Sequence, residues 1–273
     1  MRRPLARWAP LVLRALVVAA LAAFLVRPEL FSPLLAPLCD PGQPIIYDRA
    51  SLLSLTLSHL ATVAVSIGGA TIVGVGLAVF VTRPIGAEFL PLSRSIVNIG
   101  QTFPPVAVLA LAVPIVGFGE TPTLIALFLY GLLPIFENAL TGLTRLPPEV
   151  VDAANGMGMT ETQRLLKVEA PLALPVILEG VRLSAVIALA TAAIGSTVAA
   201  KGLGEVIIAG LQSNNLAFVV QGGVVVALLA VVLYEALSGL ERVLARRAGL
   251  IAEAQGAGDS PSRTEDFARE PSC

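Results

Sequence analysis

The sequence predicts an all-α, polytopic membrane protein with about six transmembrane helices. Three observations lead there. Of 273 residues, 56% are hydrophobic and only 14% charged, where soluble domains carry about a quarter charged residues. The apolar residues gather in runs near the ~20 needed to cross ~30 Å of hydrocarbon. Basic residues fall at alternate ends of those runs. With a mean hydropathy of +0.84, the chain lacks the polar surface to coat a globule. No segment outside the runs is large enough to carry a basic face for nucleic acid.

Spans are expected near 10–26, 56–82, 99–118, 123–143, 183–200 and 219–240. The first is short and carries Arg14. Its basic start (Arg2, Arg3, Arg7) and the stretch from Ala15 to Val26 also fit a signal peptide. No small-residue cleavage site follows, and Leu38 before Cys39 spoils a lipoprotein signal, so it reads as a retained helix. From Arg27 to Asp48 the chain holds Pro28, Pro33, Pro37, Pro41 and Pro44, which remove backbone donors and block helix. That predicts an irregular external connector.

The second span repeats Ser66, Ala70, Gly74 and Ala78 at every fourth position. The fifth repeats Ser184, Ala188, Ala192, Ser196 and Ala200. Small residues at that spacing let helix backbones approach closely in lipid, either for packing within the chain or for lining a gated path or subunit seam. The third span carries Pro104, Pro105 and Pro114, whose freed carbonyls need neighbours or water. It is expected to be kinked and covered by protein. The chain thus divides into 1–49 (first helix and connector), a five-helix core at 50–240 and a cytoplasmic tail at 241–273, of which 253–273 reads as disordered.

Orientation follows from Lys and Arg. With the N-terminus in the cytoplasm, fifteen of the 18 lie inside and only Arg27, Arg49 and Lys201 outside. Both termini are then cytoplasmic, in a bacterial plasma membrane. The two cysteines, Cys39 and Cys273, fall on opposite sides and match no metal spacing.

The longest cytoplasmic connection, 146–180, looks built to be structured. Pro148 suits a first helical position, and Glu149 and Asp152 put negative charge in the opening turns. Val150, Val151, Ala153 and Ala154 make this helix compact, and Asn155-Gly156 is a plausible stop. Thr160 to Gln163 fits a capping box opening a second short helix, which Pro171 and Pro175 are expected to end.

This loop resembles the EAA loop of ABC-importer permeases, with Asp152-Ala153-Ala154 as its acidic-Ala-Ala unit, Gly158 as its spaced glycine and Leu172-Ala173-Leu174-Pro175 as its closing element. GMGM at 156–159 and PLALPVI at 171–177 are similar to permeases of osmoprotectant uptake (glycine betaine, choline, carnitine). So are Leu57-Ser58-His59-Leu60, Gln101-Thr102-Phe103-Pro104, Leu132-Leu133-Pro134-Ile135 and Gly202-Leu203-Gly204. The likeness covers about residues 50–240. Asp152 departs from the usual Glu, and Glu137 stands where relatives often carry a basic residue. Ala199-Ala200-Lys201 precedes Gly202, where small residues are common.

The resemblance implies the transmembrane domain of a type I ABC importer. Its partners would be two copies of an ABC ATPase, a second permease copy or paralogue, an extracytoplasmic substrate-binding protein and membrane lipid. Glu149, Asp152, Ala153, Ala154, Gly156, Met157, Gly158 and Met159 would form the contact with the ATPase. Glu149 and Asp152 would meet its basic groups, Gly156 and Gly158 allow a tight turn, and Met157 and Met159 give adaptable apolar contacts.

The chain itself has no G-x-x-x-x-G-K-[ST] phosphate cradle; its lysines, Lys167 and Lys201, follow no glycine. No paired carboxylate, metal cluster or nucleophile triad suggests enzyme chemistry, and no cofactor is implied. Intramembrane charges are functional suspects by default, but Glu137 and Glu235 lie near the cytoplasmic interface and read first as snorkelling or structurally paired. Glu120 is expected in a solvated external loop, and His59 as a hydrogen-bonded structural group. A quaternary ammonium is held by aromatic faces. At 5% aromatics a full cage is hard to build, so Phe103, Phe128 and Tyr130 are candidates only for weak contacts along a path. Rival readings are a permease for methionine or another amino-acid-like solute, an ion-coupled secondary transporter, and a non-transporting scaffold.

Overall fold

The computed structural model describes residues 5–247 of the chain, with side chains over 12–245. The expected disordered stretch at 253–273 and Cys273 lie outside the described residues. Every regular element among those described is helical. The helices are α1 (Leu5–Val26), α2 (Leu52–Val81), α3 (Leu90–Thr102), α4 (Pro105–Val116), α5 (Glu120–Thr144), α6 (Pro148–Gly156), α7 (Glu161–Arg164), α8 (Ala170–Ala192), α9 (Gly204–Gln212) and α10 (Leu216–Arg247). Four stretches are long and apolar enough to span a membrane: Leu52–Val81, Glu120–Thr144, Glu161–Val198 and Leu216–Ala245. Two pairs bent by 111° (Val12–Val26 with Pro28–Leu38) and 94° (Ala87–Thr102 with Pro105–Val116) bring the number to six if each is one span.

Small residues place α2, α5 and α8 at the centre. Ser66, Ala70, Gly74 and Ala78 are all buried on α2, and Ser184, Ala188 and Ala192 on α8. A Cβ on Gly74 would lie 3.1 Å from Ile135, and one on Gly180 only 2.8 Å from the Pro134 carbonyl. Backbones that close also exchange polar contacts: Ser184 Oγ donates to the Gly131 carbonyl (2.9 Å). Packing within the chain therefore accounts for the first stripe and for the α8 part of the second, whose Ser196 and Ala200 fall beyond α8.

Three expectations need correction. The third span is broken rather than kinked, and the rest of the described chain leaves much of it exposed. The helix stops at Phe103, whose extended backbone precedes Pro104, as the steric restriction on a residue before proline requires. On α4 only Val108, Leu109 and Ala112 are buried, while Ile115 is 83% exposed. Second, Pro171 and Pro175 do not end a helix. The chain runs from α7 through a wide π turn (Leu165–Glu169) straight into α8. A proline ring clashes with the carbonyl four residues back; for Pro171 that is Lys167, inside the widened turn. The fifth span so begins well before 183, and its end, Ala193–Val198, tightens into a 3₁₀ turn closed by left-handed Ala199. Third, the connector is irregular only in its second part, over 39–51. Pro28, Pro33 and Pro37 each sit in the opening positions of short helical turns (Pro28–Phe31, Ser32–Leu35, Ala36–Leu38), where a missing N–H costs nothing.

That connector is strapped to the start of α10. Asn215 donates to the Pro44 carbonyl (2.8 Å) and Gln221 to the Ile45 carbonyl (2.7 Å), while Gln221 Oε1 accepts from the Tyr47 N–H (3.2 Å). Gln221 is fully buried. Gln221→Leu would leave a buried donor and acceptor unmatched, at about 1–3 kcal/mol each. The expected outcome is a lower melting temperature in detergent and faster labelling of Cys39, whose thiol rests on Asn215 (3.6 Å).

The intrahelical charges are paired. Arg94 grips Glu137 with two hydrogen bonds (2.7 and 3.0 Å), and Arg14 meets Glu235 (2.8 Å). Arg182 joins Glu241 and lies 5.0 Å from the Tyr234 ring. Glu120 is exposed but opens α5 rather than sitting in the loop before it. Buried His59 donates from Nε2 to the Leu189 carbonyl (2.9 Å), the structural role expected of it.

Candidate functional site

Helix α6 starts with Pro148 at its first turn and Glu149 beside it, and of its nine residues only Ala154 is buried. Glu149, Asp152 and Ala153 all face outward. The helix ends at Gly156, as Asn155-Gly156 suggested, and the turn that closes it runs on to Gly158. Gly158 adopts φ +72°; its N–H donates to the Asn155 carbonyl (2.9 Å) and the Met159 N–H to the Ala154 carbonyl (3.2 Å). Those are the two bonds of a Schellman cap, whose left-handed residue favours glycine. Gly156, by contrast, is an ordinary helical residue with open space around it, so the turn needs only one of the two glycines. Met157, next to the cap, is 68% exposed, while Met159 is half-buried.

The capping box predicted at Thr160 forms in full: Gln163 N–H donates to Thr160 Oγ1 (3.3 Å) and Thr160 N–H to Gln163 Oε1 (3.0 Å). Beyond it sits a group that sequence reading missed. The Glu169 carboxylate, with 6% side-chain exposure, accepts from Arg164 Nε on one oxygen (2.7 Å) and from Arg83 Nη2 on the other. Arg164 also donates to Asn155 Oδ1 (2.7 Å). Glu169 lies ahead of the apolar run of α8. Arg83 and Arg164 had registered only as positive charges on the inner side. The usable signal was the five-residue spacing of Arg164 and Glu169, which a π turn brings onto one face.

Of the path candidates, two come together. Phe103, 48% exposed, stands at the break between α3 and α4. Its carbonyl accepts from the Tyr130 hydroxyl, and the Tyr130 carbonyl accepts from Gln101 Nε2 (3.1 Å). Phe128 is not part of this cluster. It packs against α2 at Gly69 and lines a separate apolar cavity with Val65, Ser66 and Leu124.

An all-helical bundle of this kind, carrying an exposed capped helix between the central helices α5 and α8, also describes known transport proteins. Residues 70–249 match the family described as "Binding-protein-dependent transport system inner membrane component". The chain belongs to that family. The osmoprotectant import permease protein OsmY of Salmonella typhimurium is 40% identical over 185 residues, 68% of this chain and 78% of the relative. The choline transport system permease protein OpuBB of Bacillus subtilis is 36% identical, covering 64% of this chain and 83% of its own. The carnitine transport permease protein OpuCB of Listeria monocytogenes is 38% identical over 77% and 94%. Among solved structures, an inward-facing form of the MetNI methionine ABC transporter superposes with a TM-score of 0.64 over 71% of this chain and 95% of that one. At 23% identity this shows a shared fold. As an inner-membrane component of the family, the chain is a multi-pass transport subunit that works with an ATPase and a substrate-binding protein.

Proposed function

We propose that this chain is the permease of an ATP-driven importer for osmoprotectants such as glycine betaine, choline or carnitine. The carrying observation is its 36 to 40% identity, across most of each relative, to permeases named for those solutes. A path would run past the α3–α4 break, where Phe103 and Tyr130 offer aromatic faces too few for tight capture; Phe128 contributes at most from its own cavity. Selectivity then rests with an extracytoplasmic binding protein. Two permease chains, identical or paralogous, stand over two ATPases that carry out hydrolysis, with both termini of each permease in the cytoplasm.

Coupling occurs at residues 146–180. The supporting geometry is an exposed helix bearing Glu149 and Asp152, ending in a glycine cap beside an exposed methionine. Acidic groups there can pair with basic ones on the ATPase, and Met157 fills whatever apolar recess it meets. Uptake of labelled glycine betaine, choline and methionine tests the substrate class, in a strain lacking its own systems and expressing this chain with its ATPase and binding protein. Betaine or choline is expected to accumulate and methionine not. Methionine uptake alone would move the chain to the amino-acid reading, and uptake driven by an ion gradient without ATP to the secondary-transporter one.

A further inference from the structure

A docked α6 transmits nothing unless it is tied to a membrane-spanning helix. Along the chain α6 is continuous with α5 and α8; within the described residues a polar line ties it to α2 as well. Asn155, in the last turn of α6, accepts from Arg164; Arg164 donates to Glu169; and Glu169 accepts, on its other oxygen, from Arg83. Arg83 directly follows the last turn of α2, 86 residues earlier in the chain than Glu169. The three charged side chains are shielded from solvent, at 17% exposure for Arg83, 22% for Arg164 and 6% for Glu169, while the Asn155 end of the line is exposed. Ion pairs shielded to that degree hold their geometry where surface pairs do not.

Two details separate this line from a static brace. Glu169 closes a π turn, a form of helix common at functional sites. Arg83 Nε is buried with no partner among the described protein groups, an uncommon state for a buried donor. An apolar seam runs alongside, with Leu165 packed against the cluster that contains Val81, so removing the charges does not by itself detach the loop.

We infer that Glu169 is a positioning residue for transport: a strut that carries movement of α6, through Arg164 and Arg83, to the cytoplasmic end of α2. This rests on the ATPase-docking reading of residues 146–180. The strut sets how much transport each ATP hydrolysed produces, and leaves binding of the ATPase to α6.

The test is made on the assembled transporter in proteoliposomes, with Glu169→Gln and Arg83→Gln measured separately. Both complexes are expected to retain the ATPase at wild-type yield and to hydrolyse ATP. Solute imported per ATP should fall about tenfold, within the range of coupling usual between linked sites. A second pair, Arg83→Cys with Glu169→Cys in a background lacking Cys39 and Cys273, is then bridged by a short bifunctional thiol reagent. Bridging is expected to restore much of the lost import per ATP, which no purely folding role would predict. Import that falls only in step with the amount of complex recovered overturns the strut, as does a bridged pair that stays uncoupled. If the ATPase binds and Glu169→Gln imports normally, the strut alone is wrong. If wild-type permease retains no ATPase, the docking reading fails and the strut with it.

Discussion

Gly158→Val is expected to strip the ATPase from the purified permease and lower uptake by about an order of magnitude or more, while Gly156→Ala changes neither. The two glycines are two residues apart in one motif, yet only one is under conformational demand. Gly158 holds φ +72°, a region that costs other L-residues roughly 1–2 kcal/mol and is an outlier for β-branched side chains. Nothing lies within 4 Å of the Cβ that valine would add, so crowding plays no part and the penalty is backbone strain. Relieving it means giving up the bonds to the Asn155 and Ala154 carbonyls and redirecting Met157 and Met159. Gly156 is helical with equally open surroundings, where alanine gains about 0.8–1 kcal/mol of helix propensity.

Because only Ala154 of α6 is buried, the damage should stay local. The variant is expected to melt in detergent near the wild-type temperature while failing to co-purify with the ATPase. Retained association and uptake in Gly158→Val would remove 146–180 from the coupling role. Loss of both together with collapse of the melting temperature would make the glycine a folding residue instead.

What could be read from the sequence were features whose partners lie within about one turn or repeat along one face. The Thr160 box needs only Gln163, and the stripe at Ser66, Ala70, Gly74 and Ala78 declares a buried face by its spacing alone. The proline pair at 104 and 105 marked a disturbance for the same reason. The readings that failed depended on distant context. Pro171 looks like a terminator until the π turn before it makes room for its ring, and Glu169 at the close of that turn is paired with Arg83 from beyond the end of α2. The connector looks loose until Asn215 and Gln221 bind its backbone. Glu169 offers one local signal, Arg164 five residues before it, and the second arginine, Arg83, stands 86 residues away. Only folding brings two arginines to it.

Gly204→Ala is expected to be the most destabilising single-methyl change in the chain's outer corner, lowering the melting temperature by several degrees and the yield of folded protein with it. Gly204 opens α9 against the 3₁₀ turn Ala193–Val198. An added Cβ would fall 1.9 Å from the Ala193 carbonyl oxygen, 2.7 Å from its carbon and 2.8 Å from Ser196 Oγ. A side-chain tip could swing away, but a main-chain carbonyl cannot. The segment it belongs to is pinned by Ser196 Oγ donating to the Ala200 carbonyl (3.1 Å) and by the Ala200 N–H donating to Gly195 (3.2 Å). It is also tied to the neighbouring turn through the Gly119 N–H on Val198 (2.8 Å). Overpacking a well-filled site costs about 1–3 kcal/mol, and a rigid obstacle puts this site at the upper end. The control is Gly223→Ala on α10, where nothing lies within 4 Å of the new methyl; it should melt at or slightly above wild type. Equal melting temperatures for the two variants would mean that α9 can slide outward at little cost. The corner would then be a moving part, and the burial of His59 against Gly202 and Leu189 would not anchor it.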